Sequence, residues 1–139
     1  MKFWDTSAVL PLLIAEAKTE PVKSVYLDDA EQTVWCLTDV EIGAALARRV
    51  REGLPQDRAD ALREDWKTLA RRWRPVASLE SVGARALRLA RTHPLRAADA
   101  LQLAAALVAC HERPEALPFV CLDDRLRDAA RREGFPVLP

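Results

Sequence analysis

Short apolar runs of β type alternate with helical stretches along this chain, and no two of those runs are linked as a hairpin. This order constrains the fold strongly, because strands separated by helices join one sheet through βαβ crossovers. Residues 2–5, 33–37, 75–77, 118–122 and 135–138 read as strands. Pro136 within the last run marks an edge position, since proline cannot donate to a ladder. Helices are expected from Ser7 to Ala15, from Thr19 or Glu20 to about Asp29, and from Thr38 or Asp39 to about Arg51. Further helices are expected from Pro55 to Trp73, Ser78 to Arg91, Ala97 to Cys110 and Asp124 to Arg132. Hydroxyl and acidic cap residues open several of these stretches, while Gly53 and Gly134 stand where two of them stop. The expected fold class is α/β: a three-layer α/β/α sandwich around a central parallel sheet, in one domain spanning residues 1–139.

Within that frame four acids occupy comparable places. Asp5 and Asp123 directly follow strand-like runs, and Glu41 and Asp99 lie in the first turns of helices. In an open α/β sheet such positions converge on the crevice outside the carboxyl ends of the strands. Carboxylates gathered there repel one another, by roughly 4 kcal/mol for a pair about 4 Å apart at an effective dielectric of 20. A hard divalent cation removes that cost, so the pattern points to Mg²⁺ or Mn²⁺. Each acid also has a plainer role as a helix cap or first-turn acid. Asp39 competes with Glu41 but is better placed to cap, and Asp124 is assigned to the next helix's cap or to a supporting position behind Asp123.

Charge supports a polyanionic partner. The chain is neutral overall, yet residues 1–47 carry a balance of −5, residues 48–96 of +7 and residues 97–139 of −2. A basic surface beside an acidic, metal-masked site suits a phosphate backbone. The plainer reading is a solvated basic helix face.

Other chemistry competes poorly. Only four glycines are present, so no phosphate-binding Gly-rich loop can be assembled. His93 and His111 sit at expected helix ends, where surface or capping roles suffice. Cys36, Cys110 and Cys121 lie in apolar surroundings without metal-ligand spacing, which places the protein in a reducing cytoplasm. Trp4, Trp35, Trp66 and Trp73 read as core or interface anchors; Trp73, among Arg71, Arg72 and Arg74, is also a candidate for RNA contact. No run reaches transmembrane length, and the apolar segment from Val9 to Ile14 is too short and interrupted to act as a signal peptide. A receiver-like phosphoacceptor domain would need a late lysine, and none follows Lys67.

With the acids placed, the chain resembles the PIN-domain ribonucleases, in particular the VapC-type toxins of toxin–antitoxin pairs. The resemblance rests on Phe3-Trp4-Asp5-Thr6-Ser7-Ala8, on Val40-Glu41-Ile42, on Leu95 through Ala104 and on Val120 through Leu126. It implies an α/β/α sandwich and an endoribonuclease in which Asp5, Glu41, Asp99 and Asp123 hold Mg²⁺ or Mn²⁺. It implies further that a hydroxyl of Thr6 or Ser7 supports the metal. The implied partners are an RNA substrate, a cognate VapB-like antitoxin and a second copy of the chain in a homodimer. Pro21 to Leu27 and the helix from Glu41 are the candidate contact faces. Cys121 departs from the family pattern, which often has Thr or Ser there to contact the fourth acid. The alternative is a catalytically inactive PIN-like module that binds RNA or protein.

Overall fold

The computed structural model describes residues 1–139. Five parallel strands form its centre: β1 (Lys2–Trp4), β2 (Gln32–Trp35), β3 (Arg74–Val76), β4 (Phe119–Val120) and β5 (Val137–Leu138), in the order β3-β2-β1-β4-β5. Registers such as Phe3 opposite Thr33 and Phe119 fix the central pairings. Seven α-helices fill the connections: α1 (Thr6–Leu13), α2 (Thr19–Leu27), α3 (Thr38–Arg51), α4 (Gln56–Ala70), α5 (Leu79–Thr92), α6 (Ala97–Ala109) and α7 (Asp124–Arg132). The expected three-layer parallel sandwich is the fold observed. No helix is long and apolar enough to cross a membrane.

The period-two alternation of strand side chains divides the apolar residues between two cores. Phe3, Trp35, Phe119 and Cys121 face α5, α6 and α7, where they meet Leu89, Leu103 and Leu126. Trp4, Val34 and Val120 face the other way, against Val9 of α1, Val22 of α2, Leu46 of α3 and Leu62 of α4. On that second side the Trp73 ring lies between those of Trp4 and Trp66, tilted against the first and edge-on to the second, with centroids 5.5 Å apart in each pair. Tyr26 packs against both Trp4 and Trp73.

Element boundaries depart from the sequence reading mainly at their ends. Helix α4 stops at Ala70, so Trp73 stands in the turn before β3 rather than at a helix terminus. That turn carries its indole into the core at 5% exposure, which overturns the candidate RNA contact. The strands pair over fewer residues than their apolar runs, because the chain bends into the following helix directly after Trp4 and Trp35. His93 ends α5 as its C-cap but is buried, with Nε2 2.7 Å from Glu133. Cys110 and Cys121 are buried, and none of the three cysteines forms a disulfide.

Candidate active site

Strand order locates the site. Connections leave β1 toward β2 and β3 on one side, while β4 and β5 lie on the other. The carboxyl ends of β1 and β4 therefore flank a topological switch point, where open α/β sheets form their ligand crevice. Asp5 follows β1 at once, and Asp123 lies just past β4. Helix α3 begins after β2 and brings Glu41 in its first turn; α6 brings Asp99 in its own. All four acids line one open cleft of about 470 Å³, together with Thr6, Ser7, Arg48 and Arg51.

Each carboxylate is held by one oxygen and left free at the other. Asp5 is the N-cap of α1, and its Oδ2 accepts hydrogen bonds from the Ser7 amide at 2.9 Å, the Ser7 hydroxyl and the Cys121 thiol. Asp99 Oδ2 accepts from the Arg96 amide at 3.4 Å. Asp123 Oδ1 accepts from the Leu126 amide at 2.9 Å, capping α7. Glu41 Oε1 accepts from Gln102 Nε2 at 3.1 Å. The second oxygens of all four make no hydrogen bond to the protein, and no ion pair includes any of these acids.

Two neighbouring acids resolve differently from the sequence reading. Asp124 is the first residue of α7, and Asp123 is its cap, because only the residue before the helix has the extended backbone that aims a side chain at the amide three positions on. Asp123 thus combines the capping role with a place in the cleft. Asp39 does not cap α3 either; Leu37 occupies that position without a side-chain bond, and Asp39 accepts from Trp66 Nε1 at 2.6 Å. Glu41, one turn in, is left to face the crevice.

Burial raises the carboxyls of Asp5, Glu41 and Asp99 above their ordinary range. For Asp5 desolvation dominates, opposed by the Ser7 and Cys121 hydrogen bonds and reinforced by the charge of Asp99. For Glu41 desolvation again leads, opposed by bonds from Thr6 and Gln102 and reinforced by Asp5 and Asp99. For Asp99 the leading cause is desolvation, followed by repulsion from Asp123, with the Arg96 amide and the charges of Arg96 and Arg125 acting the other way. Ionised together, these groups have no ion-paired cation, and only the unpaired charges of Arg96 and Arg125 offset Asp99. No three His, Cys, Asp or Glu side chains are already arranged to hold an ion, so the acids line the cleft without forming a closed cage. The donor chemistry nevertheless fits a hard divalent cation: all-oxygen, several negative charges and one free oxygen on each acid.

Hydroxyl groups behind the acids organise the floor. Ser7 Oγ, besides donating to Asp5, accepts from the Leu122 amide at 2.9 Å and so ties α1 to the segment after β4. Thr6 Oγ1 accepts from Gln102 Nε2 at 3.0 Å. The Cys121 thiol lies 3.6 Å from Asp5 Oδ2 and 3.6 Å from the Asp123 carbonyl oxygen, reaching the backbone of the fourth acid rather than its carboxylate. Burial pushes that thiol well above its usual range, which keeps it protonated.

Arginines flank the acids, and the sequence pattern did not single them out. Arg48 and Arg51 border the cleft on α3. A second hollow of about 440 Å³ shares Asp99 and Asp123 and is bordered by Arg96 and Arg125. None of these four arginines forms an ion pair, so each guanidinium is free for phosphate oxygens. Gln102 was also missed. Its signal was a polar residue within the most apolar helix, on the same face as Asp99 one turn earlier.

A parallel α/β/α sandwich with its acids at the switch point is the PIN-like class of fold. A solved structure, FitAcB from Neisseria gonorrhoeae, shares it with a TM-score of 0.65 at 20% identity, covering 100% of this chain and 97% of that one. No family model matches the chain. Two curated relatives are ribonuclease VapC45 of Mycobacterium tuberculosis strain CDC 1551 / Oshkosh and ribonuclease VapC49 of strain ATCC 25618 / H37Rv. Each is 32% identical, over 99% of this chain and 94% of the relative. The chain belongs to the VapC family of PIN-domain proteins.

Proposed function

We propose that this chain is a single-domain, divalent-metal-dependent endoribonuclease and the toxin of a toxin–antitoxin pair. Asp5, Glu41, Asp99 and Asp123 hold Mg²⁺ or Mn²⁺. The observation that carries this reading is the set of four carboxylates in one cleft, each anchored at one oxygen and free at the other. The ribonuclease names of the two relatives support the substrate class.

A bound cation would supply a hydroxide near neutral pH and stabilise charge on the phosphate. The chain's own residues do the positioning. The helix-start hydrogen bonds fix three aspartates, and the arginines at the cleft's two borders attract the phosphates beside the bond to be cut. No side chain needs to act as nucleophile: the Ser7 hydroxyl is committed to Asp5, and Cys121 is held as a thiol. Purified protein is expected to cleave some structured RNA in Mn²⁺ or Mg²⁺ and to stop on adding EDTA. Cleavage that survives thorough chelation overturns the metal reading. Metal binding without cleavage of any RNA moves the assignment to an inactive RNA-binding or protein-interaction module.

The proposed partners are a second copy of this chain and an antitoxin whose tail lies near the acidic cleft. Exposed apolar side chains on and near the two contact faces, Leu27 at 84% and Val40 at 65%, support such contacts. Light scattering is expected to give the mass of a dimer at micromolar concentration, and the neighbouring small gene product is expected to bind and block cleavage. A stable monomer removes the dimer, and a neighbour that neither binds nor inhibits removes the toxin assignment. A reducing cytoplasm completes the proposal and is consistent with three free cysteines.

A further inference from the structure

The three aspartates of the cleft are anchored by local groups, but the glutamate is not. Asp5, Asp99 and Asp123 each accept from a backbone amide two or three residues away, so the start of a helix sets their orientation. Glu41 has the longest of the four side chains and therefore the most rotamer freedom to lose. Its anchors are remote side chains, the Thr6 hydroxyl on α1 and, at 3.1 Å, Gln102 Nε2 on α6, 61 positions along the chain. Gln102 is 1% exposed, and the same Nε2 lies 3.0 Å from Thr6 Oγ1 and 3.4 Å from Thr38 Oγ1. One buried amide thus joins α1, α3 and α6 beneath the acids. Its own Oε1 is buried without a partner, so this side chain is kept in an apolar helix at the cost of an unsatisfied acceptor.

We propose that Gln102 is a positioning residue that acts through Glu41: it fixes Oε1 from below and leaves Oε2 facing the cleft for a divalent cation. This rests on the metal reading given above. Partners behind a metal ligand typically change metal affinity or activity by about 10–100-fold. Removing the amide in Gln102→Leu therefore is expected to weaken Mn²⁺ binding by about that factor, while KM for RNA changes less than about threefold. Glu41→Ala alone is expected to weaken Mn²⁺ at least as much, and the double variant no further, because no side-chain oxygen at position 41 is left for Gln102 to position. Gln102→His, which retains a ring N–H donor, is expected to recover part of the affinity.

The experiment is Mn²⁺ titration of the full chain by calorimetry or electron paramagnetic resonance, with circular dichroism to establish folding. Wild-type Mn²⁺ affinity in folded Gln102→Leu overturns the inference and leaves the metal reading standing. Losses that add in the double variant also overturn it, since they assign Gln102 a structural role independent of Glu41. If Gln102→Leu does not fold, Gln102→His decides: affinity between wild type and Glu41→Ala supports the inference, and affinity unchanged or as low as Glu41→Ala overturns it. A wild-type chain that binds no Mn²⁺ removes the metal reading and this inference together.

Discussion

Asp5→Asn and Asp99→Asn are each expected to lower RNA cleavage by on the order of 10²-fold or more, with the metal-free fold at least as stable as the wild type. The two halves of this result have one cause. A carboxyl raised above its ordinary range is one whose ionised form is less favourable in the fold than in the unfolded chain. Asp5 is in that state through burial, and Asp99 through burial and the adjacent charge of Asp123. Asparagine removes the charge but retains an oxygen that can accept from the Ser7 or Arg96 amide. If Asp99 served only the start of α6, neutralising it would cost about 0.3–1 kcal/mol and leave cleavage largely intact. Thermal melts in EDTA beside cleavage assays on the same samples separate the two cases. An active, destabilised Asp99→Asn protein would show that the acid belongs to the helix and not to a metal site.

The second large effect is a reversal of the pH dependence of stability by metal. In the metal-free protein burial holds the carboxyls of Asp5, Glu41 and Asp99 above their ordinary values of 3.8, 4.5 and 3.8. Between those values and the raised ones the folded state binds more protons than the unfolded state, so stability falls as pH rises through the raised values. Glu133 has the opposite sign, because the Arg88 hydrogen bond holds it below 4.5; its contribution is lost only as pH drops through that lower value. Metal-free protein is therefore expected to melt higher near pH 5 than near pH 7.5. Saturating Mn²⁺ is expected to invert the trend, since the ligands must be deprotonated to bind. At a hundredfold excess over Kd the ion adds about 2.7 kcal/mol, or roughly 10 °C in Tm for a domain of this size. Scanning calorimetry across pH with EDTA or Mn²⁺ measures both slopes. A metal-free melting temperature that rises steadily from pH 5 to pH 7.5 contradicts the electrostatic account of the cleft.

The parallel sheet and the places of the four acids were legible because both follow from the order of elements: a carboxylate at a strand's carboxyl end has few other places to go. The β3-β2-β1-β4-β5 order was not legible, since alternation implies crossovers without naming neighbours. Trp73 misled because three arginines beside it read as solvent-facing, whereas the turn after α4 folds its ring onto Trp4 and Trp66. The choice of Asp123 as a cap depended on backbone angles that two adjacent aspartates do not reveal. Gln102 stood out as a polar residue in an apolar helix, but its role was not legible because it depends on Glu41, 61 positions away, which only the folded chain brings to its side-chain amide.

The unequal division of aromatic residues gives the two sides of the sheet different optical voices. Trp4, Trp66 and Trp73 lie in one core with Tyr26 at its edge, while Trp35 stands alone in the other. Ultraviolet emission and near-ultraviolet dichroism therefore report chiefly on the α1–α4 layer. Among the tryptophans, loosening of α5, α6 and α7, which carry Asp99 and Gln102, is reported by Trp35 alone. For this chain, intact tryptophan fluorescence is no certificate of an intact catalytic cleft.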